Sequence, residues 1–236
     1  MRYMGSKRRI AKHILPIMLA AASERGITRW VEPFVGGGNS IDKVPQDFER
    51  IGYDLNEHAI MAMLDIRDRA EGLPDTVTEA EYKAMRGTPP ATVTSWARFV
   101  CAFGADFECG YARYNLPRYK KTPAQEALAN AIKQQPKLQG VRFIPGSYDL
   151  VNETNALIYC DPPYQNTSGY KTGAFDSVAF FEWCRQQAKL GNIVFVSEYE
   201  APADFEIVWQ GEVKTNFSHR REAATHHAVE RLYRVS

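Results

Sequence analysis

Asp161-Pro162-Pro163-Tyr164 follows directly on the apolar run Ala156-Leu157-Ile158-Tyr159-Cys160. A carboxylate that only accepts hydrogen bonds, two residues with locked φ and no N–H, and an aromatic face stand together at the exit of an expected buried strand. The prolines remove two ladder donors, so the carbonyls here can point into a cleft instead of joining a sheet. Carboxylate and carbonyl acceptors beside a stacking ring suit a planar ligand that carries an amino group, such as adenine. An Asp-Pro turn that merely ends a strand accounts for the same residues, and both readings stand on this motif alone.

A second constellation precedes it. Gly36-Gly37-Gly38 after the apolar Trp30-Val31-Glu32-Pro33-Phe34-Val35 allows a tight turn and a close approach of backbone to ligand, although a flexible turn reads the same way. Asp54 stands at the end of the next strand-like run, about twenty residues on, where an acid binds vicinal ribose hydroxyls. Position 41 is Ile, so the dinucleotide spacing Gly-x-Gly-x-x-Gly is incomplete, and a nucleoside ligand without pyrophosphate fits better; S-adenosyl-L-methionine is such a ligand. The alternative for Asp54 is a helix N-cap ahead of Leu55-Asn56-Glu57.

The elements that must position these residues are short apolar runs separated by helical patterns. Strands are expected at 30–35, 50–54, 141–144, 156–160, 192–197, 205–213 and 230–235. Helices are expected at 57–69, 96–107, 124–134 and 178–190. Alternation of this kind predicts a mostly parallel α/β sheet, and the last two strands, with only a loop between them, predict an antiparallel hairpin at one edge. The stretch 85–140 breaks the rhythm with two helices around a polar and aromatic loop. It reads as a small, mainly helical recognition insert in a catalytic domain made of 1–84 and 141–236.

The chain has 236 residues, 44% hydrophobic and 24% charged, with formal net charge +1, which suits a globular domain with a substantial core and leaves nucleic acid neither favoured nor excluded. Cys101, Cys109, Cys160 and Cys184 form no Cys-x-x-Cys pair and have no His at ligand spacing, so reduced thiols in a cytosolic protein are expected, and no metal. Lys7-Arg8-Arg9 ahead of Ile14 to Ala22 has the look of a secretory signal, but His13 and Pro16 interrupt it, and an amphipathic helix fits as well. No run approaches the ~20 apolar residues of a membrane span.

Tyr3-Met4-Gly5-Ser6-Lys7, Glu32-Pro33-Phe34-Val35-Gly36-Gly37-Gly38, Tyr53-Asp54-Leu55-Asn56 and Asp161-Pro162-Pro163-Tyr164 resemble, in this order, the motifs of Dam-type DNA adenine-N6 methyltransferases of the alpha group. The resemblance extends over most of the chain and is closest to a short, solitary, phage- or prophage-like member. It implies a Rossmann-like S-adenosylmethionine-dependent methyltransferase fold, with S-adenosyl-L-homocysteine as the product and no metal. It also implies roles for individual residues. Tyr3 and Lys7 match the segment that closes over the cofactor; Phe34, Gly36 and Gly38 match the loop around its methionine portion. Asp54 matches the ribose acid, and Ser147 and Tyr148 match the lining of the cofactor's adenine. Glu32 and Ser147 stand where relatives commonly carry Asp. Asp161, with Pro162 and Tyr164, matches the catalytic group and also borders the cofactor. In such a site the Asp161 carboxylate and the Pro162 carbonyl accept the N–H bonds of an adenine amino group and localise its lone pair, while Tyr164 stacks on a flipped base.

Tyr111 to Lys121 carries four cations and three aromatics without an acid, a composition suited to phosphate contact and base stacking as well as to a solvated loop. Arg113-Tyr114-Asn115 and Arg118-Tyr119-Lys120 resemble elements flanking the family's recognition hairpin. Only Leu116 and Pro117 separate them, so most of that hairpin is missing and the usual target sequence does not carry over. Arg8 and Lys121 complete the expected DNA contacts. Double-stranded DNA is the expected partner of a monomer or weak dimer in the cytoplasm of a bacterium or phage-infected host. The competing readings are a methyltransferase acting on amino groups of RNA adenine or guanine, and a non-catalytic DNA-binding protein on the same fold.

Overall fold

The structure is a computed structural model that describes residues 1, 3, 5–102, 110–113, 121–163, 175–215 and 226–235. Among these residues lie strands β1 (Arg29–Glu32), β2 (Glu49–Asp54), β3 (Arg142–Pro145), β4 (Leu157–Cys160), β5 (Ile193–Glu198), β6 (Phe205–Thr215) and β7 (His226–Val235). They form one mostly parallel sheet in the order β3-β2-β1-β4-β5-β7-β6. The helices are α1 (Ala11–Glu24), α2 (Glu57–Arg69), α3 (Glu79–Ala84), α4 (Thr92–Val100), α5 (Pro123–Gln134) and α6 (Ser177–Lys189). The fold is therefore the expected Rossmann-like α/β class, with β6 and β7 as the antiparallel edge hairpin.

The chain divides into two compact units, Met1–Lys12 with Phe34–Val151, and His13–Pro33 with Asn152–Ser236. In the second, β1, β4 and β5 pair in parallel, with Val31 opposite Ile158 and Ile158 opposite Val194. Every residue of β4 and β5 is buried, so Leu157–Cys160 and Ile193–Val196 read as apolar runs instead of alternating, with the buried polar Ser197 and Glu198 at the end of β5. The start of β4 is anchored by a buried amide: Asn192 Oδ1 accepts from the Ala156 N–H at 3.0 Å, and its Nδ2 donates to Gln187 Oε1 and the Glu153 carbonyl, both at 2.9 Å. Strand β7 then runs antiparallel to both β5 and β6.

In the first unit β2 and β3 pair in parallel, with Asp54 opposite Pro145. Asn56, not Asp54, caps α2, its side chain accepting from the His58 N–H at 3.1 Å. Capping boxes Thr78/Glu81 and Thr122/Gln125 start α3 and α5. The expected insert, 85–140, lies wholly within this unit.

One expected helix differs. α4 begins at Thr92 and stops at Val100 instead of spanning 96–107. The Cys101 N–H closes the helix on the Ala97 carbonyl at 3.0 Å, and the chain turns extended, with Ala102 bridging Tyr111 and the Ala112 N–H donating to the Cys101 carbonyl at 2.7 Å. This pairing takes Cys101 and Ala102 out of the helix, and the rest of the expected helix, 103–107, lies outside the described residues.

Candidate active site

The first unit assembles most of the residues expected to hold a cofactor. Beyond β1 the chain reverses through Gly36 and Gly38, whose φ angles of +48° and +63° lie in the left-handed region that favours glycine. The Val35 N–H donates to the Tyr53 carbonyl at 2.8 Å, which seats the loop against the end of β2. The Gly36 N–H then donates to Asp54 Oδ2 at 2.8 Å, and the Asn56 N–H donates to Oδ1 at 2.9 Å. A carboxylate offers about four acceptor positions, so Asp54 binds both backbone groups and keeps capacity for two vicinal hydroxyls. Burial pushes its pKa up to about 6 despite these two bonds.

Register brings a second strand end to the same place. The Gly146 N–H donates to the Asp54 carbonyl at 3.0 Å, and the turn Tyr148–Leu150 follows. Ser147 starts that turn without a side-chain cap bond. The Tyr148 ring lies 5.7 Å from the Phe34 ring at 30°. Leu55 and Leu150 leave 56% and 60% of their surface exposed beside Asp54 and Gly146, apolar faces that sequence reasoning did not single out. This donor set, a half-buried carboxylate with spare acceptor capacity among two rings and apolar surface, fits a nucleoside.

The N-terminal segment packs on the glycine loop. A Cβ at Gly36 would lie 2.8 Å from the Tyr3 ring, and one at Gly37 would lie 2.7 Å from the Met1 carbonyl oxygen. Tyr3 also meets the Phe99 ring at 5.5 Å. Lys7 is buried and its Nζ donates to the Gly5 carbonyl at 3.0 Å. The glycines are thus required by the chain's own packing as much as by any ligand.

The second unit carries the remaining expected residues. The chain leaves β1 toward β2 and β3 on one side and β4 toward β5 on the other, so the sheet order reverses between the adjacent parallel strands β1 and β4. Ligands of open α/β sheets bind outside the carboxyl ends of the strands at such a reversal. Glu32 ends β1 there, buried, its Oε1 accepting from Trp30 Nε1 at 2.9 Å. Asp161 and Pro162 follow β4 directly. Two residues before Asp161, the buried Tyr159 hydroxyl bonds Ser197 Oγ at 2.9 Å. Burial first, then the charges of Asp161, Glu32 and Glu230, hold the Tyr159 phenol far above its usual range, so it stays neutral. Burial and the neighbouring Cys184 likewise keep the Cys160 thiol protonated. Tyr164, the expected stacking ring, lies outside the described residues. Among the described residues no group of His, Cys, Asp and Glu is arranged to hold a metal ion.

Residues 3–90 match the family of D12 class N6 adenine-specific DNA methyltransferases. The chain is also 24% identical over 221 residues to the Type II methyltransferase M.MjaIII of Methanocaldococcus jannaschii, covering 78% of this chain and 74% of that one. The two matches support a Dam-type adenine methyltransferase family and DNA methyltransferase activity. A conserved hypothetical protein of Streptococcus pyogenes is similar over 88% of this chain and 86% of its own at 9% identity, with a TM-score of 0.36, too distant to bear on function.

Of the cations expected to meet the nucleic acid of such a methyltransferase, Arg8 and Lys121 are exposed. Arg113 is exposed too, but Glu79 engages it bidentately, at 2.9 Å to Nε and 2.6 Å to Nη2. Tyr114, Asn115, Arg118, Tyr119 and Lys120 lie outside the described residues. Among the described residues no helix is long and apolar enough to cross a membrane.

Proposed function

We propose that this chain is a site-specific DNA adenine-N6 methyltransferase that takes its methyl group from S-adenosylmethionine. The observation that carries the reading is the pair of adjacent parallel strand ends, β1 with Glu32 and β4 with Asp161-Pro162, at the point where the sheet order reverses. Tyr3, Lys7, Phe34, Gly36, Gly38, Asp54, Ser147 and Tyr148, with Glu32 and Asp161, are the residues assigned to the donor. When bound, S-adenosylmethionine supplies an electrophilic sulfonium methyl and leaves as S-adenosylhomocysteine.

The chain's own part is to make a poor nucleophile reactive. An adenine amino nitrogen delocalises its lone pair into the ring. With its two N–H bonds accepted by the Asp161 carboxylate and the Pro162 carbonyl, that nitrogen moves toward tetrahedral geometry and the lone pair localises. The developing positive charge meets a fixed acceptor, and the departing proton is held at the Asp161 carboxylate. Tyr164 is assigned to the base face, where stacking is worth about 1–3 kcal/mol and offsets part of the few kcal/mol needed to flip the base out of a duplex. The substrate is double-stranded DNA and the setting the cytoplasm, and the name of the Methanocaldococcus jannaschii relative, a Type II methyltransferase, supports a modification role.

The test is methyl transfer from labelled S-adenosylmethionine to plasmid DNA and, in parallel, to RNA, with modified positions located by single-molecule sequencing of DNA from expressing cells. N6-methyladenine in DNA is expected, and Asp161→Ala abolishes it while leaving the thermal midpoint nearly unchanged. Label in RNA alone, or normal transfer by Asp161→Ala, overturns the proposal.

A further inference from the structure

Gln134 is the last residue of α5 and is buried. Its Nε2 donates to the carbonyls of Gly37 and Gly38, both at 3.1 Å, and to Asp42 Oδ2 at 3.2 Å. Its Oε1 accepts from the Met1 amine. An amide has two N–H donors, so the whole donor capacity of this side chain goes to the glycine loop and the short turn after it.

The two carbonyls belong to successive peptide planes, on either side of the Gly38 Cα. A peptide unit is rigid, so holding its carbonyl also fixes the direction of its N–H. Glycines have the widest backbone freedom of any residue, and Gly38 stands at φ +63°. A loop of this kind keeps one shape only if something outside it holds it.

We propose that Gln134 is a positioning residue for the methyl donor, pinning the Gly37 and Gly38 peptide planes to the end of α5 so that the loop is preorganised before the donor arrives. The inference rests on the donor-binding role given to the loop above. Preorganisation acts on affinity, because the unpinned loop must be ordered at the expense of binding. α5 is the helix that follows the basic segment ending at Lys121, so the loop is held by the element nearest the expected DNA contacts in sequence.

The experiment uses the full chain with Gln134→Met, which keeps the side chain's length without its hydrogen bonds, and Ala131→Gly as a control that loosens the same helix away from the loop. Calorimetry with S-adenosylmethionine and no DNA is expected to give about tenfold weaker binding for Gln134→Met, as loss of one to two net hydrogen bonds allows. Backbone amides of 36–39 exchange faster in the ligand-free variant, and kcat on plasmid DNA at saturating donor stays within about twofold. Ala131→Gly lowers the thermal midpoint and leaves donor affinity unchanged. If Gln134→Met does not fold, Gln134→Glu, which retains the acceptor and loses the donors, carries the same expectation. Unchanged donor affinity in the folded Gln134 variant, or equal weakening by Ala131→Gly, overturns the inference. A parent chain that binds no S-adenosylmethionine overturns the proposed function together with it, whereas a binding parent beside an unaffected variant overturns this inference alone.

Discussion

The Asp54 carboxylate is bonded to the Gly36 N–H at 2.8 Å, which joins the end of β2 to the glycine loop through the acid assigned to the ribose. Burial raises its pKa to about 6. Ribose hydroxyls donate to the ionised form, so binding favours the carboxylate. Donor affinity is therefore full above the raised pKa and falls as pH drops through it, by about tenfold per unit well below it. Calorimetry between pH 5 and 8, the range about that pKa, reads the midpoint. Asp54→Asn binds weakly and loses this dependence.

Tyr3 lies where a side chain at Gly36 would stand. Gly36→Ala forces the ring aside and also imposes left-handed strain of about 1–2 kcal/mol on a residue with a Cβ. In a Tyr3→Ala background the steric part vanishes and the strain remains. The double-mutant cycle in chemical denaturation should show positive coupling between these positions, and strict additivity would mean the ring does not rest on the loop.

Glu79 holds Arg113, and its bonds to Arg113 and Lys83 lower its carboxyl pKa to about 2, so it is ionised at every working pH. Phosphate must compete with it for the guanidinium. Glu79→Gln is expected to leave the thermal midpoint unchanged, tighten plasmid DNA binding and steepen the log K against log salt slope by about one. A gel-shift series in salt measures both, and unchanged binding removes Arg113 from the DNA contacts.

Trp30 donates its indole N–H to the buried Glu32. Trp30→Phe keeps an aromatic ring but takes a hydrogen bond from a buried carboxylate, a loss of about 1–3 kcal/mol in urea unfolding. If Glu32 serves the donor, the same variant also weakens S-adenosylmethionine binding.

Much of the scaffold was legible along the chain, because local pattern sets the type of each element. All seven strands appear where apolar runs predicted them, and β6 and β7, the last two in sequence, pair as the expected antiparallel edge hairpin. α2 occupies the expected 57–69. α4 shares 96–100 with the helix expected there but starts four residues earlier and leaves the helix at Cys101, where the pairing of Ala102 with Tyr111, nine positions away, has no local signature. The capped, six-residue α3 was too short to give a period.

The sequence by itself determined the chemical types at the site: an acid after an apolar strand, prolines that withhold donors, glycines that allow a left-handed turn, and a second acid in step with them. Those follow from covalent structure and from spacing. Tertiary structure alone decided which partners these groups meet. That Asp54 would spend one acceptor position on Gly36, that Glu32 would be tied to an indole, that Glu79 would hold Arg113, and that Gln134 would grip the loop from 96 positions along the chain all depend on folding. Such hydrogen bonds join residues brought together by packing, and packing depends on the whole chain, not on any run within it.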